Sequence, residues 1–391
     1  MTTFNRNKNP YVITAVYYLG FIGLGLATAA LGPTLQGLAK NTGSTLAQIS
    51  SLFLLSSFGY LLGSLTSGTA FDRMKGHPIL SGVLLIVAAL MALIPFGTSL
   101  LFLQILLFII GFSEAMLDVG TNTLLVWLHG DRVPPFMNGL HAFFGIGTTI
   151  SPLVVAFILG TQGSLTSIYW IFAALILPAA LFLPFLPSPS HTDSNSMDAE
   201  RPAIPILVIL AAVIFFAYVG SEVGFAGWIY TYTTSQPYGT PTLAATINAA
   251  FWATFTVGRL VSIPLATRLK PKTILWVDLT GVIISILLII LFPVAEWVLW
   301  LGTIGAGLFM ASIFPTILND AQSRMHMSGK TTSWFFVGSS LGSMLIPWLM
   351  GQLIGPFGPI STMLMVLGST LVAAAAYYTL NIFQQRQDAV L

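Results

Sequence analysis

The chain alternates between long apolar runs and short polar connections along its whole length, and its mean hydropathy is +0.88. A helix that crosses the hydrocarbon core of a bilayer needs about 20 apolar residues, whereas a transmembrane β-strand needs about ten that alternate with polar ones. The runs here are long and do not alternate, so the pattern predicts an all-α polytopic membrane protein. Twelve spans are predicted, at 11–33, 47–70, 78–98, 100–128, 136–160, 167–187, 204–232, 243–267, 274–295, 297–319, 332–355 and 358–381.

Charge is scarce and unevenly distributed between the connections. Charged residues make up 7% of the chain, against about 25% in soluble domains, so lipid must surround most of it. Of the 14 lysines and arginines, all but Lys40 and Arg259 fall in the even-numbered connections or at the termini. The positive-inside rule then places both termini in the cytoplasm. We expect a monomer in the lipid bilayer of a bacterial inner membrane.

Several kinds of chemistry are absent from the sequence. The chain has no cysteine, which excludes disulfides and thiolate metal sites, and its net charge of +2 gives no reason to expect a nucleic-acid partner. It contains no Walker loop, no histidine and carboxylate spacing for zinc, and no Gly-x-Ser-x-Gly elbow. We therefore expect no enzymatic activity and no cofactor, apart from a Na⁺ that serves as a coupling ion.

A polar stretch divides the predicted spans into six plus six. Residues 188–203 are rich in serine, proline and charge, which predicts a cytoplasmic linker between six-helix bundles at 1–187 and 204–391. The halves look like repeats, because four pairs of residues share an offset of 195: Gly63 and Gly258, Arg73 and Arg268, Pro152 and Pro347, and Gly160 and Gly355. Parallel repeats of this kind place a substrate site near the bilayer midplane, between the halves.

The connection between spans 2 and 3 carries a family motif. Its sequence, Gly68-Thr-Ala-Phe-Asp72-Arg73-Met-Lys75-Gly76, resembles the G-x-x-x-D-R-x-G-R signature of the major facilitator superfamily. The second glycine comes one residue late, and Lys75 stands where glycine is usual. With the spans and the linker, the resemblance covers the whole chain. It implies a fold of two six-helix halves and a gating role for Asp72 and Arg73 at the cytoplasmic mouth.

Further motifs resemble one sugar-transporting branch of that superfamily, which contains sodium-dependent glucose transporters and fucose/galactose/glucose:proton symporters. They are Asp118-Val-Gly120-Thr-Asn122, 137–145 (MNGLHAFFG), Tyr218-Val-Gly220-Ser-Glu222 with Gly227-Trp228, 307–315 (GLFMASIFP) and 335–338 (FFVG). The resemblance implies transport of a sugar. The proton symporters of this branch carry an acid in span 1, which this chain lacks, so their coupling scheme does not carry over.

Few ionisable residues lie inside the predicted spans, and such residues usually mark transport pathways. They are Glu114, Asp118, Glu222 and Arg259, with His141 as the one histidine of five that we place within a span. On span 4, Glu114, Asp118 and Asn122 are four residues apart and share one helix face. Asn138 and His141 share a face of span 5, which a short loop joins to span 4, so the two faces can meet.

We predict that Asp118 and Asn122, with Glu114 and His141, hold the coupling ion. Carboxylate and amide oxygens suit Na⁺, so Asp118 and Asn122 form a possible Na⁺ site. Asp118 beside His141 could instead bind and release a proton. The alternative for each residue is a structural hydrogen bond, and His141 could also bond sugar hydroxyls.

A sugar site needs hydrogen-bonding groups for hydroxyls and aromatic faces for C–H surfaces. Glu222 could accept two hydroxyls, or stabilise a gate contact. Trp228 suits sugar stacking or an interfacial aromatic belt, and any aromatic could simply pack in the core. The predicted substrate contacts are Asn138, His141, Glu222, Trp228, Asn248, Trp252 and Trp334.

Arg259 is the one cation that we place within a span. A buried cation needs an acid, and Asp278 and Asp320 are predicted at similar depth. We therefore predict an inner-gate cluster.

These features together predict a secondary active transporter that imports a small polar solute, such as the hexose glucose, by symport with Na⁺ or H⁺. One alternative is a proton-coupled exporter of amphipathic compounds. An alternative of another class is a membrane sensor that transports nothing.

Overall fold

The computed structural model describes residues 9–189, 205–324 and 329–388, and the regular structure within them is helical. The α-helices are α1 (Pro10–Thr42), α2 (Leu46–Ile49), α3 (Ser51–Arg73), α4 (Gly76–Leu93), α5 (Leu100–His129), α6 (Val133–Gly160), α7 (Leu165–Phe182), α8 (Pro205–Thr234), α9 (Pro241–Ala266), α10 (Pro271–Leu291), α11 (Glu296–Met310), α12 (Ile313–Arg324), α13 (Gly329–Phe357) and α14 (Ile360–Asp388). The prediction of an all-α membrane protein is confirmed.

Eleven stretches of the described chain are long and apolar enough to cross a membrane. One of them, Leu100–Gly160, has 61 residues and contains both α5 and α6, which a 3₁₀ turn at Gly130–Arg132 joins. The count of twelve spans therefore stays a prediction. The tenth predicted span, 297–319, falls on two helices, because the helical structure is interrupted between Met310 and Ile313.

The chain forms two compact units. The first comprises Met1–Thr45 and Leu55–Asn195, and the second comprises Leu46–Leu54 and Ser196–Leu391. The second unit thus takes in a short segment from the beginning of the second predicted span. Most of the predicted linker, 188–203, lies outside the described residues, so its structure stays a prediction.

Glycines allow the same close helix contact in each unit. In the first unit, a Cβ atom added at Gly63 of α3 would lie 2.4 Å from the carbonyl oxygen of Phe112 in α5. In the second unit, a Cβ atom at Gly258 of α9 would lie 2.6 Å from the carbonyl oxygen of Leu308 in α11. Both helix pairs therefore touch backbone to backbone, as small residues permit in membrane proteins.

A second pair of glycines repeats the relationship. A Cβ atom at Gly147 of α6 would lie 2.2 Å from the carbonyl oxygen of Ile22 in α1, and one at Gly342 of α13 would lie 2.0 Å from that of Phe216 in α8. Gly147 and Gly342 are again 195 residues apart. The internal repeat suggested by shared residues is therefore also a repeat of helix packing.

Candidate functional site

Two polar side chains bind the carboxylate of Asp118 within the first unit. The Tyr60 phenol of α3 donates a hydrogen bond to Oδ2 of Asp118 at 2.5 Å. Asn122, one turn further along α5, donates from Nδ2 to Oδ1 of Asp118 at 2.8 Å. The predicted pair on one helix face is therefore in contact. Tyr60 is a third member of this group, and no sequence pattern signals its contact because Tyr60 and Asp118 are 58 residues apart.

Glu114 lies one turn before Asp118 on the same helix. Its side chain is buried, and its Oε1 accepts a hydrogen bond from the hydroxyl of Thr28 in α1 at 3.3 Å. Glu114 and Asp118 thus place two carboxyl groups on one face of α5. Two carboxyl groups on one helix face inside a membrane can bind a cation, because a cation would offset the cost of burying their charge.

The predicted residues of α6 lie in the same unit. His141 is half-buried, and its ring stands edge-on to that of Phe21 in α1, with centroids 6.1 Å apart. Asn138, one turn earlier, is exposed. Both remain candidates for contact with a small polar ligand.

A second histidine, His77, lies within a candidate span, contrary to the prediction that His141 alone does so. His77, in the first turn of α4, is 1% exposed. Its Nδ1 lies 3.0 Å from the carbonyl oxygen of Leu186, and its Nε2 lies 2.7 Å from the hydroxyl of Tyr17. Since a carbonyl oxygen only accepts, Nδ1 carries the hydrogen and Nε2 accepts from Tyr17. The ring therefore connects α4 to α1 and to the non-helical segment at Leu186.

The second unit contains a polar cluster at the interruption between α11 and α12. Tyr218 of α8 is buried, and its hydroxyl oxygen lies 2.5 Å from Oε2 of Glu222 and 2.6 Å from the carbonyl oxygen of Met310. Glu222 follows Tyr218 by one helical turn and is half-buried. The predicted Glu222 is thus bound to its own helix and to the end of α11 through a single phenol.

Two further ionisable residues, Asp278 and Arg259, belong to this polar cluster. Asp278 of α10 is buried and accepts a hydrogen bond from the Ser312 hydroxyl at the interruption. The guanidinium of Arg259 lies over the ring of Phe255, 4.7 Å from its centroid, and interacts electrostatically with Glu222.

The alternative acid proposed for Arg259 has a different partner. Asp320 forms an ion pair with Arg324, one turn along α12, at 2.6 Å. Arg324 is held by further acceptors on α14, so it satisfies Asp320 without Arg259. The expectation that Asp320 could serve Arg259 is therefore wrong, and Glu222 is the acid that interacts electrostatically with Arg259.

The tryptophans and the asparagine predicted to contact sugar differ in how far they are buried. Trp228 is 0% exposed, and its Nε1 donates to the carbonyl oxygen of Pro347 at 2.9 Å, so it presents no face for stacking and is not part of an interfacial belt. Trp252 is also buried, whereas Trp334 is 55% exposed. Asn248 is 0% exposed and donates to the carbonyl oxygen of Ala226 at 2.6 Å. The structure thus makes Trp228 a core residue.

The predicted gating pair, Asp72 and Arg73, is exposed at the C-terminal end of α3. In the described parts of the chain, no group of three or more histidine, aspartate or glutamate side chains is arranged to hold a metal ion.

Comparison with known proteins gives a consistent result. The family model of the Major Facilitator Superfamily matches residues 17–347. The chain is 29% identical to sodium-dependent glucose transporter 1A of Mus musculus, over 92% of this chain and 94% of that protein. It is 30% identical to sodium-dependent glucose transporter 1 of Xenopus laevis, over 93% of this chain and 81% of that protein.

Solved structures show the same fold at low sequence identity. A crystal structure of the nucleoside transporter NupG superposes with a TM-score of 0.77 at 15% identity, and covers 95% of this chain and 100% of that one. A bacterial homolog of the human lysosomal transporter Spinster, in an inward-facing and unoccupied conformation, gives a TM-score of 0.71 at 13% identity, with 96% and 97% covered.

Proposed function

The chain belongs to the Major Facilitator Superfamily, and from this premise we propose that it is a cation-coupled symporter that imports a hexose, with glucose as the first substrate to test and Na⁺ as the first coupling ion. Transport itself follows from the family and from the membrane-spanning helices. The hexose and the Na⁺ are supported by relatives named sodium-dependent glucose transporters and by the polar residues within the spans.

The observation that carries the proposal is the environment of Asp118. Both of its oxygens accept hydrogen bonds, from Tyr60 at 2.5 Å and from Asn122 at 2.8 Å. Two donors on one carboxyl group are the arrangement that suits its ionised form. An ionised carboxylate inside a membrane is the group that a cation would bind, because binding removes the uncompensated charge.

Cation binding at this position requires a local rearrangement. Asn122 presents its amide nitrogen to Asp118, and a cation needs the amide oxygen instead. Rotation of the Asn122 side chain would exchange the two atoms and leave Asp118 and Asn122 as oxygen ligands, while the Tyr60 phenol keeps its hydrogen bond to Asp118. On this proposal Asn122 changes its orientation with each binding event. Glu114 and His141 stay proposed residues of the coupling-ion site. The proposed substrate contacts are Asn138, His141, Glu222, Asn248, Trp252 and Trp334, and the proposed gating residues are Asp72, Arg73 and Arg259.

The test is uptake of labelled glucose into proteoliposomes that contain the purified protein. Inward Na⁺, inward H⁺ and no ion gradient are imposed in parallel, with protein-free liposomes as the blank. We expect accumulation above equilibrium under one cation gradient only. Failure to take up glucose under every condition would refute glucose as the substrate, and failure of labelled galactose and fucose in the same assay would refute the sugar proposal.

The coupling site is tested with Asp118→Asn, which keeps the shape of the side chain and removes its charge. We expect this variant to equilibrate glucose without concentrating it. Asp131→Asn makes the same substitution at an exposed position after α5, and should behave as the wild type. Undiminished accumulation by Asp118→Asn would show that the coupling ion binds elsewhere.

A further inference from the structure

The hydroxyl of Tyr218 lies between two oxygen atoms that compete for its one proton. It lies 2.6 Å from the carbonyl oxygen of Met310 and 2.5 Å from Oε2 of Glu222. A phenol has one hydrogen to donate, a carbonyl oxygen only accepts, and an ionised carboxylate only accepts. Two oxygens at such distances need a hydrogen between them. The phenol hydrogen alone cannot occupy both contacts.

The contacts are satisfied together when Glu222 carries a proton. Tyr218 then donates its hydrogen to the carbonyl of Met310, and the carboxyl O–H of Glu222 donates to the phenol oxygen. Each contact contains one hydrogen, and no acceptor faces another acceptor. The arrangement around Asp118 differs, because there the two neighbours each bring a hydrogen of their own.

The charges of the surrounding residues agree with this assignment. Glu222 and Asp278 are two acids, and Arg259 is the one cation that interacts with Glu222, so one protonated acid leaves the polar cluster neutral. The hydrogen count at Tyr218 assigns that proton to Glu222. An unbalanced charge inside a membrane is costly.

The other helices that pack against α8 leave this balance unchanged. Arg259 comes from α9, and Asp278 of α10 interacts with Tyr218. On α12, Asp320 and Arg324 pair with each other, and Tyr377 of α14 lies beside Arg324. The described side chains of α13 and α14, at 333–357 and 360–384, include no acidic or basic residue.

Loss of the proton would leave Glu222 with two ways to become satisfied. It could accept the hydrogen bond of the Tyr218 phenol, which would then no longer donate to the carbonyl of Met310 at the end of α11. It could also accept from Arg259, whose Nε is buried and has no hydrogen-bond partner among the described residues. Either change alters the contact between α8 and the interruption between α11 and α12.

We propose that Glu222 is a proton-binding site of the second unit, and that Tyr218 couples its protonation to the helix interruption after Met310. This inference rests on the proposed transport function, in which it would supply a pH-sensitive step separate from cation binding at Asp118. The proton itself is the ligand: it joins Oε2 of Glu222 when the site is occupied, and leaves to water when it is empty.

The direct test is infrared difference spectroscopy between acidic and alkaline pH on the purified full-length protein, without substrate. A protonated carboxyl group gives a carbonyl stretching band that an ionised one lacks. We expect Glu222→Gln to lose one such band. Glu296→Gln, which removes an exposed acid at the beginning of α11, should keep it. An unchanged set of bands in Glu222→Gln would overturn the proposal.

A second variant tests the coupling through the phenol. Tyr218→Phe keeps Glu222 and removes its hydrogen-bond partner, so the Glu222 band should remain and shift. A band that does not move would overturn the role of Tyr218. Because these spectra need neither glucose nor Na⁺, the protonation of Glu222 can hold even where glucose uptake fails.

Transport supplies the functional readout. In proteoliposomes that exchange substrate, we expect the pH dependence of exchange to be lost in Glu222→Gln, since the amide imitates the protonated acid. Glu296→Gln should keep the wild-type profile. A wild-type pH profile in Glu222→Gln would overturn the functional role.

Discussion

Tyr60 and Asp118 are joined by a 2.5 Å hydrogen bond that connects α3 to α5 within the first unit. The phenol is one of two donors to the carboxylate, and the other is the neighbouring Asn122. A carboxylate held in this way is fixed in orientation before any cation arrives. Tyr60 therefore helps to set how strongly Asp118 attracts a cation.

Tyr60→Phe should lower stability and make the protein more responsive to its coupling cation. A hydrogen bond to a charged group contributes about 1.5–3 kcal/mol, and its loss leaves Asp118 with an unsatisfied oxygen. A bound cation would satisfy that oxygen, so the rise in melting temperature on adding Na⁺ should be larger in the variant than in the wild type. The measurement is thermal unfolding in detergent over a series of Na⁺ concentrations.

Tyr169→Phe provides the control for this experiment. Its phenol lies in the same unit and contacts the hydroxyl of Thr34 at 2.7 Å. We expect a modest loss of stability and a wild-type response to Na⁺. Equal responses in Tyr60→Phe and the wild type would contradict a cation at Asp118.

The relationship between Asp118 and Asn122 could be predicted from the sequence, and that between Tyr60 and Asp118 could not. The first pair is four residues apart on one helix, where spacing alone brings side chains together. The second depends on which face of α3 meets α5, and hydropathy does not report that in a helix that is apolar on most sides. The bond from Tyr218 to Met310 was missed for the same reason. The interruption after Met310 does have a sequence signal, because Pro315 has no N–H to donate to the carbonyl of Ala311, four residues earlier.

The burial of individual aromatic residues could not be predicted from the sequence either. Trp228 and Trp334 both lie in apolar spans, yet one is fully buried and the other is 55% exposed. Composition cannot separate them, because a membrane helix may turn an aromatic ring towards lipid or towards protein. The glycine repeat was more informative, since a constant offset reflects packing that each unit needs independently.

Gly63→Ala and Gly258→Ala should each destabilise their own unit. The added Cβ atoms would lie 2.4 Å and 2.6 Å from backbone carbonyl oxygens, which cannot move aside as a flexible side chain would. Overpacking of this kind costs about 1–3 kcal/mol. The melting temperature in detergent measures the effect.

Matched controls are available in both units. Gly82 and Gly368 also lie within helices, and a Cβ atom at either would meet no atom within 4 Å. Alanine there should be neutral or slightly stabilising, because glycine is the weaker helix former. A drop in melting temperature for the controls equal to that for Gly63→Ala would show that close helix contact is not the cause.

Trp228→Phe should affect stability and leave substrate affinity unchanged. The substitution removes the hydrogen bond to Pro347 and leaves a cavity next to Phe53, whose ring centroid lies 5.8 Å away. We expect a loss of about 1–3 kcal/mol, with the KM for transport within about twofold of the wild type because a core residue touches no substrate. Trp334→Phe, at an exposed position, should leave stability unchanged. A raised KM with undiminished stability in Trp228→Phe would restore the sugar-stacking role.

Arg324 should be a major contributor to the stability of the second unit. Its guanidinium donates to both oxygens of Asp320, at 2.6 and 3.1 Å, and to Gln384 and Asn381 of α14 at 2.5 and 2.9 Å. Removing one partner of a buried ion pair costs about 3–5 kcal/mol, so Arg324→Gln should lower the melting temperature strongly. Arg324→Lys keeps the charge, but one ammonium cannot replace the planar fork of donors, so its loss should be intermediate.

Lys272→Gln is the control for these two variants, because Lys272 is an exposed cation near the beginning of α10. It should leave the melting temperature unchanged. The order of stability should therefore be wild type and Lys272→Gln, then Arg324→Lys, then Arg324→Gln. If Arg324→Lys is as stable as the wild type, charge alone holds α12 to α14, and the directional hydrogen bonds to Gln384 and Asn381 contribute nothing.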